Sequence, residues 1–288
     1  MNLPEKPKVI FTTRGINRST LLDNYIASKV VKGSKLLIAQ HGGNYGQHKG
    51  HWGSKHELKM SDKFISWGNK KTKKIIPCGL IKNIDKKNYY KDNKMILFES
   101  RPRLLYSHEF KIDQGAINSK IYYNQMKTFL SSIKQKKILR NFFIKTNIKD
   151  FGWNEKNIFQ KFNKNVKLIT KKLTTIETIK SAKIVIYSFP STGHLECIYA
   201  NMPMLMFYSN DLNLLEKDTK IFFKKFLKIG ILHNDPKKMY KKLTEIYDDP
   251  SVWWYSKRVQ KVIKEYSFRF CGNNDNLIDD LGKIIKNA

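Results

Sequence analysis

The sequence predicts an α/β protein built on parallel β-sheets, and three observations lead to this fold class. Short runs of apolar, β-branched residues alternate with segments of helical periodicity, as in a parallel sheet with crossover helices. The chain has 288 residues, which is enough for one large domain or two smaller ones, and its 41% hydrophobic and 12% aromatic content is typical of a globular protein. The most apolar stretch, residues 183–208, has the pattern of a strand, a helix and a second strand.

The first part of the chain is predicted to contain one helix and four strands. The helix covers residues 19–31, with Ser19 or Thr20 as its N-cap. The strands are predicted at residues 8–13, 35–40, 62–67 and 74–78. The second strand runs into a glycine-rich turn, HGGNYG, at residues 41–46.

A polar, lysine-rich stretch at residues 82–93 has no apolar periodicity and is the best candidate for a linker. It divides the chain into two predicted domains, residues 1–90 and 91–288. Beyond it we predict strands, an extended segment and helices, with a turn at Asp249-Pro250 inside the helical tail. The strands are at residues 95–98 and 166–170, the extended segment at 138–145, and the helices at 122–133, 175–182, 236–247 and 252–266.

The net charge of +31 invites a nucleic-acid interpretation, but only 7 of the 55 basic residues are arginine. Proteins that grip phosphates usually rely more on the planar, bidentate arginine side chain. Abundant lysine, asparagine and isoleucine together are also what an AT-rich genome would encode. A basic face on an anionic membrane is a second explanation. A dedicated nucleic-acid binder is a third, although the chain has no zinc-finger, RRM or helix-turn-helix signature.

No apolar run reaches the roughly 18 residues that a membrane span needs, and the N-terminus has no apolar signal core. We therefore expect a cytoplasmic protein, with peripheral contact to the inner membrane face as an option. Cys78, Cys197 and Cys271 are far apart and odd in number, which favours reduced thiols over a disulfide framework. The tryptophans at positions 67, 153, 253 and 254 are expected to be core residues.

The segment at residues 183–208 carries the clearest chemical signal. Its first strand ends in small and hydroxyl-bearing residues, Ser188 and Ser191 to Gly193, and a helix begins there. Free N–H groups and the helix dipole at such a start favour phosphate, and ligands of open α/β sheets bind at this edge. Replacing Gly193 with valine is expected to block a ligand and leave the fold largely intact. Glu196 follows too late for a capping box, so it either favours the dipole or accepts hydrogen bonds from a sugar or ribose hydroxyl.

The glycine-rich turn is the second candidate. His41 ends an apolar strand and could act as a general base, since its ordinary pKa lies near neutral pH, or it could simply brace the turn. Gly42 and Gly43 would let the backbone approach a ligand closely. The histidines at 41, 48, 51 and 56 lack the spacing and the cysteine or carboxylate partners of a metal site, so no metal is predicted.

Five segments carry a resemblance: IAQHGGNYG at 38–46, HELKMSDKFISWG at 56–68, DFGWN at 150–154, YSFPSTGHLECIYANMPMLMFY at 187–208 and DDPSVWW at 248–254. In this order they resemble a family of sugar transferases found with O-antigen and other surface-polysaccharide genes. More distantly, the chain is similar to CDP-glycerol glycerophosphotransferases and capsule Kdo transferases.

The resemblance implies a GT-B fold, in which two Rossmann-like domains face a cleft and the C-terminal domain holds a nucleotide-activated donor without an obligatory metal. The donor would contact residues of the second domain: Ser188, Ser191, Thr192, Gly193 and Glu196. His41 would be the catalytic base. The acceptor side would include residues of the first domain: Gly42, Gly43, Tyr45, His56 and Glu57. Family members carry a longer region before the first strand, so the N-terminal domain is expected to be incomplete.

The predicted function is therefore a glycosyltransferase, or a related transferase, that moves a nucleotide-activated group onto a glycan or lipid-linked acceptor of a surface polysaccharide. A nucleotide-sugar epimerase of the same fold is one alternative. A non-catalytic basic binding module is the other. No cofactor and no specific nucleic acid are predicted as partners.

Overall fold

The computed structural model describes residues 3–13, 16, 19–43, 45–68, 72–81, 84, 93–99, 116–146, 154–169, 174–209, 211–272 and 276–288. Most of the predicted linker and residues 150–153 of the DFGWN segment lie outside these ranges. The chain forms two compact units. The first comprises Met1–Gly46, His51–Asn83 and Glu265–Ala288, and the second comprises Gln47–Gly50 and Ile84–Lys264.

The first unit contains a sheet of four parallel strands, which are the four strands predicted in this region. They are β1 (Val9–Thr12), β2 (Lys35–Ala39), β3 (Lys63–Ser66) and β4 (Ile75–Pro77), and they pair in that order. Two helices accompany them, α1 (Thr20–Val31) and α2 (Trp52–Met60). The sequence predicted α1 but not α2.

Both faces of β2 are buried, because successive side chains of a strand point to opposite sides of the sheet. Leu36 and Ile38 pack with Ile26 of α1 in one apolar cluster. Leu37 and Ala39 belong to a second cluster on the other face. This double burial explains why the strand has an uninterrupted apolar sequence.

The second face of this sheet is packed by the end of the chain. Four apolar side chains of α12 (Leu277–Lys286) reach the cluster: Leu277, Leu281, Ile284 and Ile285. The last 24 residues, Glu265–Ala288, are therefore grouped with the N-terminal unit, whereas the sequence-based division kept residues 91–288 together. A boundary drawn from composition follows chain order and cannot detect such a return.

The second unit contains a sheet of six parallel strands in the order β10-β9-β8-β5-β6-β7. The strands are β5 (Met95–Glu99), β6 (Phe142–Lys145), β7 (Lys167–Leu168), β8 (Ala182–Tyr187), β9 (Met204–Phe207) and β10 (Leu232–His233). The order reverses between β5 and β8, because β6 and β7 extend to one side of β5 and β8 to β10 extend to the other. Open α/β sheets bind their ligands beside such a switch point, outside the carboxyl ends of the strands.

Helices follow the strands of this unit in the βα order expected from the sequence. They are α3 (Ala116–Ser132), α4 (Lys136–Leu139), α5 (Glu155–Phe162), α6 (Thr175–Ser181), α7 (Thr192–Tyr199), α8 (Lys217–Ile229), α9 (Pro236–Ile246), α10 (Pro250–Trp254) and α11 (Lys257–Phe270), whose residues from Glu265 onward are grouped with the first unit. The predicted extended segment at 138–145 is wrong at its start, where α4 forms, and the predicted helix at 252–266 is divided into α10 and α11. Trp67 and Trp254 are fully buried, as predicted.

Candidate functional site

One candidate site lies at the carboxyl end of β8 in the second unit, beside the switch point of the six-stranded sheet. All the residues of β8 except Lys183 are buried, and the chain leaves the strand through Ser188 and enters α7 at Thr192. The βαβ unit predicted from the sequence is therefore present, and its helix start is at the edge where ligands of such sheets bind.

The start of α7 is closed by a reciprocal pair of hydrogen bonds. The Oγ atom of Ser191, the N-cap, accepts from the Gly193 N–H at 3.2 Å. In return, the Nδ1 atom of His194 accepts from the Ser191 N–H at 2.9 Å. This is a capping box in which histidine replaces the usual glutamate or glutamine. Glu196 was the one residue weighed for such a box from the sequence, and His194, three residues after Ser191, was missed.

His194 is completely buried, and burial lowers the pKa of its imidazole to about 3, with the charge of His48 acting in the same direction. The ring is therefore neutral near pH 7. Because Nδ1 accepts a hydrogen bond, the proton of the neutral ring is on Nε2. The side chain fixes the helix start without adding a charge to it.

Gly193 is required by internal packing. A Cβ atom at this position would lie 2.7 Å from the ring of Tyr187, which is fully buried. The expectation that Gly193→Val would leave the fold largely intact is therefore wrong, since any side chain must displace a core tyrosine. Loss of ligand binding in that variant would not distinguish a ligand contact from a packing defect.

The other predicted donor residues differ in accessibility. Ser191 and Thr192 are partly exposed at the helix start. Ser188 is buried, and its Oγ atom is 2.8 Å from the hydroxyl of Tyr122 on α3. Glu196 is 1% exposed and lies in the second turn of α7. The structure thus brings all five predicted donor residues to one sheet edge and places the hydroxyls of Ser191 and Thr192 nearest to solvent.

The short segment Gln47–Gly50, which follows the glycine-rich turn, also belongs to the second unit. His48 forms an antiparallel bridge with Leu215, and the Lys49 N–H donates to the Leu214 carbonyl at 3.0 Å. The Gln47 carbonyl accepts from the Glu216 N–H at 2.8 Å. The sequence analysis considered His48 only as a metal ligand, and no feature of the sequence indicates this pairing with a segment more than 160 positions away.

A separate candidate site lies at the carboxyl end of β2 in the first unit. Gln40 holds the chain as it leaves the strand. Its Nε2 atom donates to the Gly42 carbonyl at 2.8 Å, and its Oε1 atom accepts from the Trp67 N–H at 3.1 Å. Gln40 is itself buried, so these bonds fix the start of the turn that carries His41.

Three side chains in this unit form a hydrogen-bonded chain. The hydroxyl of Tyr45 donates to Oε2 of Glu57 at 2.6 Å and is 2.8 Å from Nδ1 of His41. Tyr45 and Glu57 are buried, whereas His41 is partly exposed. The structure therefore joins three residues that the sequence analysis named separately, and it places the chain's exposed end at the histidine.

The other residues predicted for this site differ in their exposure to solvent. Gly42 is partly exposed and Gly43 is buried. His56 is partly exposed on α2. His51 caps that helix, with its Nδ1 atom accepting from the Ser54 N–H at 3.2 Å, and its ring lies 5.1 Å from that of Tyr45. In the described ranges, no group of three or more histidine, cysteine or acidic side chains has the arrangement of a metal site.

Solved structures with the GT-B fold match nearly the whole chain. A UDP-GlcNAc 2-epimerase from Neisseria meningitidis, bound to UDP-GlcNAc, aligns with a TM-score of 0.54 at 12% identity, over 97% of this chain and 76% of that one. MurG from Acinetobacter baumannii aligns with 0.52 at 8% identity, over 98% and 75%. A variant of the wall teichoic acid polymerase TagF aligns with 0.51 at 10% identity, over 97% and 73%. The predicted fold class is thereby confirmed.

The chain belongs to the LIC12162 family of transferases, which it matches over residues 1–285. The predicted transferase, and with it the prediction of an enzyme, is confirmed at this level. Comparison with curated protein sequences finds no match. Among the described helices, none is both long and apolar enough to cross a membrane.

Proposed function

We propose that this transferase moves a sugar, or a closely related group, from a nucleotide-activated donor onto an acceptor of a bacterial surface polysaccharide. The observation that carries the proposal is the start of α7 at the switch point of the six-stranded sheet, in a chain that belongs to a transferase family. Helix starts of this kind favour anionic ligands, and the Neisseria meningitidis epimerase of the same fold was solved with the nucleotide sugar UDP-GlcNAc bound.

The donor diphosphate is proposed to lie against the first turn of α7. The hydroxyls of Ser191 and Thr192 are partly exposed there, and the helix dipole stabilises negative charge. The same groups would stabilise the charge that develops on the leaving nucleotide, so the reaction needs no metal. Glu196 is proposed to accept a hydrogen bond from a hydroxyl of the donor.

His41 is proposed to act as the general base. The acceptor hydroxyl loses its proton to the imidazole while its oxygen forms a bond with the reacting carbon of the donor. The bond between that carbon and the phosphate oxygen breaks, and the nucleotide leaves with the electron pair. The imidazolium then releases its proton to solvent. The partly exposed position of His41 at the end of β2 supports this assignment.

A direct test is a panel of nucleotide sugars and nucleoside diphosphates screened by thermal shift, followed by an assay of nucleotide release with glycan acceptors. The Thr192→Val variant keeps the volume of the side chain and removes its hydroxyl. We expect it to weaken diphosphate binding by roughly tenfold, the value of one hydrogen bond to a charged group. Thr128→Val is the matched control, because Thr128 lies on α3 and bonds to the Asn124 carbonyl.

Two outcomes would contradict the proposal as a whole, and a third would contradict the role of Thr192. If no nucleotide or nucleotide sugar stabilises the wild-type protein, the donor site is not at α7. If a nucleotide sugar binds and is converted to its epimer without an acceptor, the enzyme is an epimerase of the same fold. Equal affinity in the Thr192→Val and Thr128→Val variants would exclude Thr192 from the site.

The acceptor is proposed to be lipid-linked, with the enzyme working at an anionic membrane face. One helix supports this part of the proposal. On α8, Lys217, Lys224 and Lys228 are exposed on one stripe around Ile221, which is 46% exposed. Each lysine near an anionic surface contributes on the order of 1 kcal/mol. Vesicles with and without phosphatidylserine test the attraction by co-sedimentation, and equal binding to both would contradict it.

A further inference from the structure

The hydrogen-bonded chain of Glu57, Tyr45 and His41 has a direction, and that direction determines the protonation of the histidine. A tyrosine hydroxyl has one proton to donate. Tyr45 gives that proton to the Glu57 carboxylate at 2.6 Å. Towards His41 the same oxygen can then only accept, so the Nδ1 atom at 2.8 Å must carry a proton. The basic lone pair of the neutral imidazole is consequently on Nε2.

We propose that Tyr45 and Glu57 are positioning residues that hold His41 in its Nδ1–H tautomer, so that Nε2 takes the proton of the acceptor hydroxyl. The inference rests on the proposed function for its catalytic part. It assigns Tyr45 and Glu57 a supporting role, in place of the direct acceptor contact that the resemblance implies. Both are more than nine-tenths buried, which favours support over contact.

The arrangement has the logic of a catalytic triad in which a tyrosine stands between carboxylate and histidine. A buried carboxylate fixes the tautomer of the base and stabilises the imidazolium after proton transfer. Here the carboxylate of Glu57 would act through the polarised hydroxyl of Tyr45. The ring of Tyr45 is itself fixed, because it stacks on Phe64 at 5.8 Å and packs against His51 at 5.1 Å.

The tautomer of His41 should differ from those of three other histidines with described ring hydrogen bonds. In His51 and His194 the Nδ1 atom accepts from a backbone N–H, which puts the proton of the neutral ring on Nε2. In His233 the Nε2 atom is 3.0 Å from the Gly230 carbonyl and must donate to it. His41 should therefore be the exception among these four, and the others serve as internal references.

The experiment measures the tautomers by long-range ¹H–¹⁵N NMR of the full-length protein, at about pH 8, above the ordinary pKa of histidine. We expect Nδ1–H for His41 and Nε2–H for His51, His194 and His233. Tyr45→Phe keeps the stacked ring and removes only the hydroxyl. In this variant the His41 signals should move towards a mixture of tautomers, while those of His51 stay unchanged. Tyr25→Phe is the matched control, because its hydroxyl bonds only to the Pro4 carbonyl among the described contacts.

Enzyme kinetics provide a second, independent measurement. Tyr45→Phe should lower kcat by roughly 10 to 10² and leave the KM for the donor unchanged, because tautomer control acts on the general base. If the Tyr45→Phe variant does not fold, the double variant Tyr45→Phe with Glu57→Gln, which also removes the Glu57 charge, takes its place.

Each outcome decides a separate point. An Nε2–H tautomer for His41 in the wild type, or one unchanged by Tyr45→Phe, would overturn the inference even if the enzyme is active. The expected tautomers with an unchanged kcat in Tyr45→Phe would overturn the catalytic part. The expected tautomers in a protein that transfers no group from any donor tested would overturn the proposed function, while the hydrogen-bonded relay itself is upheld.

Discussion

Acid should destabilise the second unit through His194, and the effect can be calculated. The ring is completely buried at the start of α7, and its pKa falls from 6.5 to about 3 on folding. The folded state therefore binds fewer protons than the unfolded state between these two values. The stabilisation from the neutral ring is complete above about pH 6.5 and is lost progressively as the pH falls towards 3. The whole shift corresponds to roughly 5 kcal/mol, of which about 2 kcal/mol is lost by pH 5.

The His194→Asn variant isolates this contribution. The Oδ1 atom of asparagine can accept the Ser191 N–H in place of Nδ1, but the amide does not titrate. The variant loses packing and should be less stable than the wild type at about pH 7.5. Because the other titrating groups are common to both proteins, the difference in unfolding free energy should shrink by roughly 2 kcal/mol at about pH 5.

Urea unfolding followed by tryptophan fluorescence at the two pH values measures this difference, since Trp254 is fully buried in the same unit. Circular dichroism at each pH is the control that both proteins start folded. A difference between wild type and variant that is the same at both pH values would refute the reasoning. It would mean that His194 keeps an ordinary pKa in the folded protein, so that the ring is not excluded from water.

Two further predictions concern glycines. Gly193→Ala should lower the unfolding free energy by about 1–3 kcal/mol, because its Cβ would lie 2.7 Å from the buried Tyr187 ring. A thermal melt without ligand measures the effect. An unchanged Tm would mean that packing does not require glycine at position 193. Gly272→Ala should lower the unfolding free energy by more than about 2 kcal/mol, since the residue has φ +68° and its Cβ would clash with the Trp67 carbonyl. The matched Gly282→Ala change, in the middle of α12 with open space around it, should instead stabilise by about 0.5–1 kcal/mol. If Gly272→Ala and Gly282→Ala both destabilise the protein, the difference in free space around the two glycines does not determine their stability effects.

The sheets could be predicted from the sequence because their central strands are buried on both faces. β2 and β8 are nearly continuous runs of apolar residues, and such runs have few other structural explanations. The helices were harder. The α2 sequence, WGSKHELKM, has little apolar periodicity, and the helix starts at His51, which is an uncommon N-cap. By contrast, α12 has a clear apolar stripe at residues 277, 281, 284 and 285, so it could have been predicted from the sequence but was not.

The candidate site shows the same division between local and long-range information. The start of α7 was predictable, because strand, hydroxyl residues and helix follow one another directly. The role of His194 was also predictable, since its position three residues after Ser191 is the position that a capping box requires. The position of His48 could not be predicted from the sequence. Its place in the second unit depends on pairing with Leu215, and nothing near either residue encodes that contact.

Glu57 shows why spacing alone could not assign the roles around His41. The resemblance implied that Glu57 and Tyr45 are both on the acceptor side, although they lie in different matching segments, 56–68 and 38–46. The buried Glu57 oxygen, however, is 2.6 Å from the Tyr45 hydroxyl, which is in turn 2.8 Å from His41. The pairing depends on α2, whose formation the sequence did not indicate, to bring position 57 back to position 45. A hydrogen bond from a tyrosine inside a unit determines which nitrogen of a histidine is basic, and only the folded arrangement of three side chains contains that information.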